Sequence, residues 1–124
     1  MRFKIAALLA CWQDAGEDKR IKQATAYSLG KIGEAQCLRA LMDSLQDSDE
    51  FVRCTALGGL AQTCSEREDR KLLIRDFNWG EAIDPQSPIT PERIAEAARR
   101  LEKPPEEIHQ RYTALAQRFG LRLL

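Results

Sequence analysis

Residues 21–29 read IKQATAYSL, and residues 52–60 repeat the pattern as VRCTALGGL, 31 positions later. Each copy begins with a β-branched apolar residue, continues with a base and has leucine at its ninth position. Apolar or small residues recur at i, i+4, i+8 and i+11, the spacing of a helix that buries one face. The predicted inward stripes are Ile21, Thr25, Leu29 and Ile32 in the first copy, and Val52, Ala56, Leu60 and Thr63 in the second.

A further amphipathic helix is predicted between the two copies. Its apolar residues follow the i, i+3, i+4, i+7 spacing: Leu38, Leu41, Met42 and Leu45. Gly33 ends the helix before it, and Asp47-Ser48-Asp49 supplies the cap of the helix after it. Two helices per period of 31 residues are typical of an α-solenoid, in which each unit contacts its neighbours.

The repeat is incomplete at both ends. Residues 4–14, with Ile5 and Trp12 on one face, form the first helix of the first unit. Ser65-Glu66-Arg67-Glu68 is a capping box that opens a third unit, and Leu72, Leu73 and Phe77 follow it. The period stops at Pro85 and Pro88. We therefore predict about two and a half helix pairs, spanning residues 1–77.

The repeat resembles a known family over residues 17–64. The runs Ile21–Gly33, Cys37–Leu45 and 47–53 are similar to the HEAT-like repeat of phycobilisome lyases, which also occurs in bacterial proteins of unrelated role. In such repeats an Asp and an Arg six residues later form a polar ladder, and Asp47 and Arg53 match these positions. The first copy has Gly16 and Lys22 instead. The resemblance thus implies that the first unit is an end cap.

The C-terminal third departs from the repeat. Residues 78–90 are a predicted connector, in which Trp79 either anchors the loop or recognises a partner. Thr90-Pro91 opens one helix, and Lys103-Pro104-Pro105 separates it from a second that ends at Gly120. The predicted inward residues are Ile94, Ala98 and Leu101, then Ile108, Tyr112, Leu115 and Phe119. The hairpin of residues 91–124 is expected to cap the open end of the repeats.

The hairpin also allows an alternative function. Residues 93–122 contain seven bases and four acids, with Arg99, Arg100, Arg111 and Arg118 expected on exposed faces. A helix-turn-helix that binds nucleic acid is therefore an alternative, although the bias is mild. The apolar end formed by Leu121, Leu123 and Leu124 is expected to dock back or to form a homodimer.

The composition favours a non-enzymatic protein that stays in water. Lys plus Arg and Asp plus Glu each total 19, so no net field attracts nucleic acid or anionic membrane. The apolar run from Ile5 to Trp12 is too short to cross a membrane, and we expect a cytoplasmic protein. Cys11, Cys37, Cys54 and Cys64 form no Cys-x-x-Cys pair, and His109 is remote from them. We expect no catalytic residue, metal or cofactor, and we expect buried thiols at Cys37 and Cys64.

The fold predicts a protein-interaction or scaffold module. In the resembled family the second helix of each unit lines a shallow concave face, here residues 18–32 and 50–63. The candidate partner-binding residues point away from the apolar stripe: Gln23, Tyr27, Lys31, Cys54 and Gln62. Tyr27 is the strongest candidate because an aromatic ring with a polar tip suits an interface centre. The resemblance also leaves a phycobilin lyase-like subunit or chaperone as a second alternative.

Overall fold

The computed structural model describes residues 2–74 and 84–124, and its regular structure there is helical. The helices are α1 (Arg2–Gln13), α2 (Lys19–Ile32), α3 (Ala35–Asp43), α4 (Glu50–Ala61), α5 (Arg67–Ile74), α6 (Pro91–Leu101) and α7 (Pro105–Phe119), with a 3-10 turn at Ser44–Gln46 between α3 and α4. The predicted all-α fold is confirmed. The prediction that Phe77 and Trp79 anchor a connector lies outside the described residues.

Local signals set the helix ends. The side chain of Asp18 accepts a hydrogen bond from the Arg20 amide, and Asp49 caps α4 in the same way through the Phe51 amide. Gly33 ends α2 with φ 68°, a left-handed conformation that glycine adopts without a steric penalty. Thr90 and Pro91 open α6 as predicted. These caps satisfy backbone groups that a helix end leaves unpaired.

Helices α2 and α4, the equivalent helices of the two repeats, pack at backbone distance. A Cβ atom on Gly30 would lie 1.9 Å from the carbonyl oxygen of Gly59, and one on Gly59 would lie 2.6 Å from that of Ala26. Glycine at both positions is what allows this approach. Gly30 and Gly59 are thus close-packing residues of the two helices.

The inward stripe of α2 is rotated from the predicted one. Ile21 is 48% exposed, whereas the neighbouring Lys22 is only 8% exposed and lies with Thr25 and Leu29 on the buried side. The Lys22 ammonium lies over the Trp12 ring, 5.5 Å from its centroid, so the base is drawn inward and Ile21 is turned out. The predicted inward position of Ile21 is therefore wrong, while Thr25, Leu29, Ala56 and Leu60 are buried as expected.

The C-terminal hairpin packs on α5 and covers the last repeat helices. The Tyr112 hydroxyl donates to the Leu72 carbonyl at 3.4 Å, and both Leu72 and Leu73 are fully buried. Arg111 forms ion pairs with Asp69 of α5 and with Glu66 just before that helix, each at 3.0 Å. The described chain is thus a short helical solenoid capped by a helical hairpin.

The end of the chain docks back beside the start of α6. The Ile89 amide donates to the Arg122 carbonyl at 2.7 Å, and the Leu124 amide donates to the Ile89 carbonyl at 3.0 Å. This makes an isolated parallel bridge between Ile89 and Leu123. Leu121 is buried, whereas Leu124 is 64% exposed. The predicted homodimer through this tail stays a prediction.

Candidate functional site

Three of the five candidate partner-binding residues meet in one hollow between α2 and α4. Gln23, Tyr27 and Cys54 line a cavity of ≈ 190 Å³. Phe51, Thr55, Gly58 and Ile74 complete its lining. We call this the Tyr27 hollow. Its walls combine apolar and aromatic groups with the polar side chains of Gln23 and Thr55.

Tyr27 lies against a glycine of the facing helix. A Cβ atom on Gly58 would lie 3.1 Å from Cε1 of the Tyr27 ring and 3.5 Å from its hydroxyl oxygen. The missing side chain of Gly58 therefore leaves the space that the ring occupies. Because 42% of Tyr27 is still exposed, the ring is held on one side and open on the other.

The two remaining candidates lie elsewhere. Gln62 lines a second hollow of ≈ 260 Å³ with Arg67, Arg70, Lys71 and Ile74, and its side-chain amide donates to the Gly58 carbonyl at 3.4 Å. Since Ile74 lines both hollows, they are adjacent. Lys31 is exposed on the last turn of α2 and lines neither of them.

Sequence reasoning missed several residues of this face: Phe51, Gly58, Ile74, Arg67 and Arg70. The sequence signal for Phe51 was an aromatic residue two positions after the Asp49 cap. In the structure, Lys19 Nζ lies 5.1 Å from the centroid of its ring. Ile74 and the two arginines belong to α5. Their position depends on how α5 packs against α4.

The four cysteines are free thiols, and three of them have a raised pKa. Burial raises the pKa of Cys54, and the carboxylates of Asp84 and Glu50 raise it further. Burial is also the main cause of the raised pKa of Cys37 and Cys64. These thiols therefore stay protonated at neutral pH, which disfavours nucleophilic chemistry. The predicted burial of Cys37 and Cys64 is confirmed.

Arg53 binds the turn before α4, but its acidic partner is not the predicted one. Its Nη1 donates to the backbone carbonyls of Asp47 at 2.8 Å and Ser48 at 3.1 Å. Its Nε and Nη2 donate to the two carboxylate oxygens of Asp84, at 3.2 and 3.3 Å. The Asp47 carboxylate instead accepts from the Asp49 amide. Asp47 thus meets Arg53 through its backbone, because its side chain is engaged in the turn.

The Arg53–Asp84 pair shifts the pKa of both groups. Hydrogen bonding to Asp84 is the main cause of the raised pKa of Arg53. Hydrogen bonding to Arg53 is the main cause of the lowered pKa of Asp84, and burial opposes it. Both groups are therefore charged at neutral pH. They lie 31 residues apart, so the pair connects the second repeat to the segment that follows α5.

The four hairpin arginines predicted to be exposed, Arg99, Arg100, Arg111 and Arg118, all contact protein groups. Arg99 and Arg100 both pair with Glu96, the latter at 2.9 Å. Arg118 donates to the Thr63 hydroxyl at 2.9 Å, and Arg111 is held by the α5 carboxylates. His109 is exposed and lines a hollow of ≈ 430 Å³ with Ile94, Ala95 and Leu124 among its walls. This surface offers few unengaged bases to a phosphate backbone.

Within residues 2–74 and 84–124, no three His, Cys, Asp or Glu side chains are grouped so that they would hold a metal ion. Each helix of that part of the chain is also too short or too polar to cross a membrane.

The two stacked helix pairs define a helical-repeat protein, and comparison with protein families gives the type of repeat. The sequence profile described as HEAT repeats matches residues 5–75, more than half of the chain. The chain therefore belongs to the HEAT repeat family. The resemblance to HEAT-like repeats is confirmed at this level, whereas the phycobilisome lyase type is not. HEAT repeats commonly serve as protein-interaction scaffolds and are generally non-catalytic.

A second profile, described as wHTH-Hsp90_Na associated, matches residues 65–121. This range includes α5, α6 and α7, and it overlaps the HEAT match at residues 65–75. No curated protein and no solved structure matches the chain. The family profiles thus assign the repeats and compare the last three helices with a winged helix-turn-helix.

Proposed function

We propose that this chain is a non-catalytic interaction module that binds a protein partner at the Tyr27 hollow. The observation that carries the proposal is the half-exposed Tyr27 ring, held over Gly58 and surrounded by Phe51, Cys54 and Ile74. Aromatic residues fixed in a partly apolar setting are the commonest anchors of protein interfaces. An anchor that is already ordered loses little side-chain entropy when a partner binds.

The size of the hollow favours a side chain over a small-molecule ligand. Small-molecule sites usually enclose about 300–1,000 Å³, and the Tyr27 hollow encloses ≈ 190 Å³. The adjacent hollow adds Arg67 and Arg70, and Arg70 Nε is buried without a hydrogen-bond acceptor among the described groups. A partner with an apolar side chain next to an acidic one fits both hollows.

Site-specific photo-crosslinking tests this proposal. A benzophenone amino acid replaces Tyr27 in one variant and Met42 in a matched control, because the two residues are 42% and 41% exposed and Met42 lies on α3, outside the hollow. We expect a discrete protein crosslink, identified by mass spectrometry, from position 27 alone. Equal crosslinking from both positions, or from position 42 alone, contradicts the proposal.

Nucleic-acid binding by α6 and α7 is the second candidate, and the winged helix-turn-helix profile favours it. Such proteins place the second helix of the motif in the major groove and contact phosphates with bases. Two observations rank it lower: the four arginines are engaged with protein groups, and α7 begins with Glu106 and Glu107. We expect DNA affinity no tighter than about 10⁻⁴ to 10⁻⁶ M. Salt-sensitive submicromolar binding would rank this function first.

A role as a phycobilin lyase-like subunit or chaperone has a direct spectroscopic test. A bilin that binds a protein changes its absorption because its geometry and its surroundings change. We expect no change when bilin is mixed with this chain, since the profile that matches is that of HEAT repeats in general. A shifted spectrum would support the lyase-like role.

A further inference from the structure

Another cavity, separate from the three hollows described above, lies beside the turns of the repeats. It is larger than the Tyr27 hollow. It encloses ≈ 490 Å³, and its walls include Trp12, Lys22, Asp43, Ser44, Asp47 and Asp49. We call it the turn cavity. It shares no lining residue with the Tyr27 hollow. Its polar groups come from α2, from the end of α3 and from the turn before α4.

Lys22 is a buried base that has no anionic partner. It is 8% exposed, and its Nζ lies 5.5 Å from the centroid of the Trp12 ring. Among the described residues, no carboxylate oxygen lies within 4.0 Å of Nζ, and the ammonium makes no hydrogen bond. The aliphatic stem of Lys22 is buried, whereas its ammonium stays open to the cavity with the Trp12 ring as a partner. The side chain therefore presents an unmet hydrogen-bonding capacity to the cavity.

The second repeat shows what such a base binds when its partners are present. Arg53 occupies the position equivalent to Lys22, 31 residues later. Its guanidinium binds the Asp84 carboxylate at 3.2 Å and the Asp47 carbonyl at 2.8 Å. The first repeat has the base but not the carboxylate. A carboxylate supplied from outside would complete the same arrangement.

The rest of the cavity is acidic and restricts what can enter. The hydrogen bonds to the turn use one oxygen of Asp47 and one of Asp49, and Asp43 adds a third carboxylate. A simple anion that approaches Lys22 is repelled by these three groups. A ligand that also carries a positive charge gains from them instead. The occupant must therefore bring a carboxylate and a cation together.

We propose that the turn cavity binds a peptide segment in which an acidic side chain lies next to a basic one. The carboxylate of the segment binds the Lys22 ammonium, and its ammonium or guanidinium binds among Asp43, Asp47 and Asp49. The cavity volume lies within the range of about 300–1,000 Å³ that encloses small ligands. This site is separate from the Tyr27 hollow, so either can fail without the other.

The experiment uses short blocked peptides and the indole N–H of Trp12 as a reporter. That N–H donates to Ser44 Oγ at 3.0 Å within the cavity wall, and the Trp12→Phe variant identifies its NMR signal. We expect acetyl-Glu-Lys-amide to shift this signal in a saturable way, with a dissociation constant of roughly 1 mM. Acetyl-Glu-Glu-amide and acetyl-Lys-Lys-amide should bind at least about tenfold more weakly.

Two variants of the cavity separate recognition from folding. Lys22→Met should weaken acetyl-Glu-Lys-amide by about tenfold or more, yet change the melting temperature little, since methionine keeps the buried apolar stem and only the contact of the ammonium with the Trp12 ring is lost. Asp43→Asn should reduce the preference for the mixed-charge peptide. Arg53→Met is the matched control, because Arg53 is the equivalent base in the second repeat. It should lower the melting temperature, since Asp84 loses its hydrogen-bond donor. The proposal is overturned if the mixed-charge peptide gives no saturable shift, if Lys22→Met binds it equally well, or if the acidic peptide binds as tightly.

Discussion

The contact between α2 and α4 predicts that Gly30→Ala is strongly destabilising. A Cβ at position 30 would lie 1.9 Å from the Gly59 carbonyl oxygen, and real Cβ atoms essentially never come within 3.0 Å of another atom. The obstacle is backbone, so no side-chain rotation removes it. The two helices must move apart by about 1 Å, and a gap of that size loses roughly a quarter to a half of the attraction of each contact.

The expected magnitude follows from two opposing effects. Overpacking in a filled core costs about 1–3 kcal/mol, and a clash with backbone belongs at the upper end. Replacing glycine by alanine inside a helix returns about 1 kcal/mol through helix propensity. The net loss of unfolding free energy is therefore about 2 kcal/mol. For a chain of this length that lowers the melting temperature by roughly 8 °C.

Gly58→Ala is the matched control on the facing helix. The nearest atom to its new Cβ is Cε1 of the Tyr27 side chain at 3.1 Å, which can move outward. We expect a stability change within about 1 kcal/mol, together with weaker partner binding at the Tyr27 hollow. Thermal unfolding followed by circular dichroism measures both variants. If Gly30→Ala melts at or above the parent temperature, α2 and α4 do not meet at backbone distance.

Three further predictions follow from the ion pairs and the cap. Because the pKa of Asp84 is lowered in the folded chain, its carboxylate contributes to stability above its ordinary pKa of 3.8. This contribution is lost as the pH falls through the lower pKa of the folded state. Asp84→Asn should therefore lose less unfolding free energy at acid pH than the parent, as measured by denaturant titrations at several pH values. Arg111→Met should loosen the hairpin from α5, seen as faster amide exchange in α7 while α2 stays protected, because Glu66 and Asp69 lose their shared base. Deleting residues 90–124 should expose Leu72 and give aggregation or dye binding, whereas a truncated chain that melts cooperatively as a monomer would contradict the capping role.

The helices and the repeat were predictable because their signals are local. Spacing near 3.6 residues identified α2 and α4, and Asp49, Gly33 and Thr90-Pro91 marked helix ends that the structure reproduces. The bridge between Ile89 and Leu123 was not predictable, since an isolated pair has no alternating pattern.

The rotation of α2 and the partner of Arg53 required tertiary information. Hydropathy predicts that Ile21 is buried and Lys22 exposed. In the structure the Lys22 ammonium packs over the Trp12 ring, so Lys22 is buried and Ile21 is exposed. Asp84 lies in a segment where the repeat pattern has stopped, so nothing in the period identifies it as the carboxylate for Arg53. Within the proposed interaction face, Tyr27 could be predicted from the sequence. Ile74 of α5, which completes the hollow, could not, because its position depends on long-range packing.

Helix α5 explains why two different family profiles overlap on this chain. Its described part, Arg67–Ile74, carries two buried leucines, Leu72 and Leu73, which lie between the repeats and the hairpin. Its first turn carries Glu68 and Asp69 toward Arg111, while the Leu72 carbonyl accepts from the Tyr112 hydroxyl. The helix that opens the third repeat thus also serves as the packing surface of the hairpin.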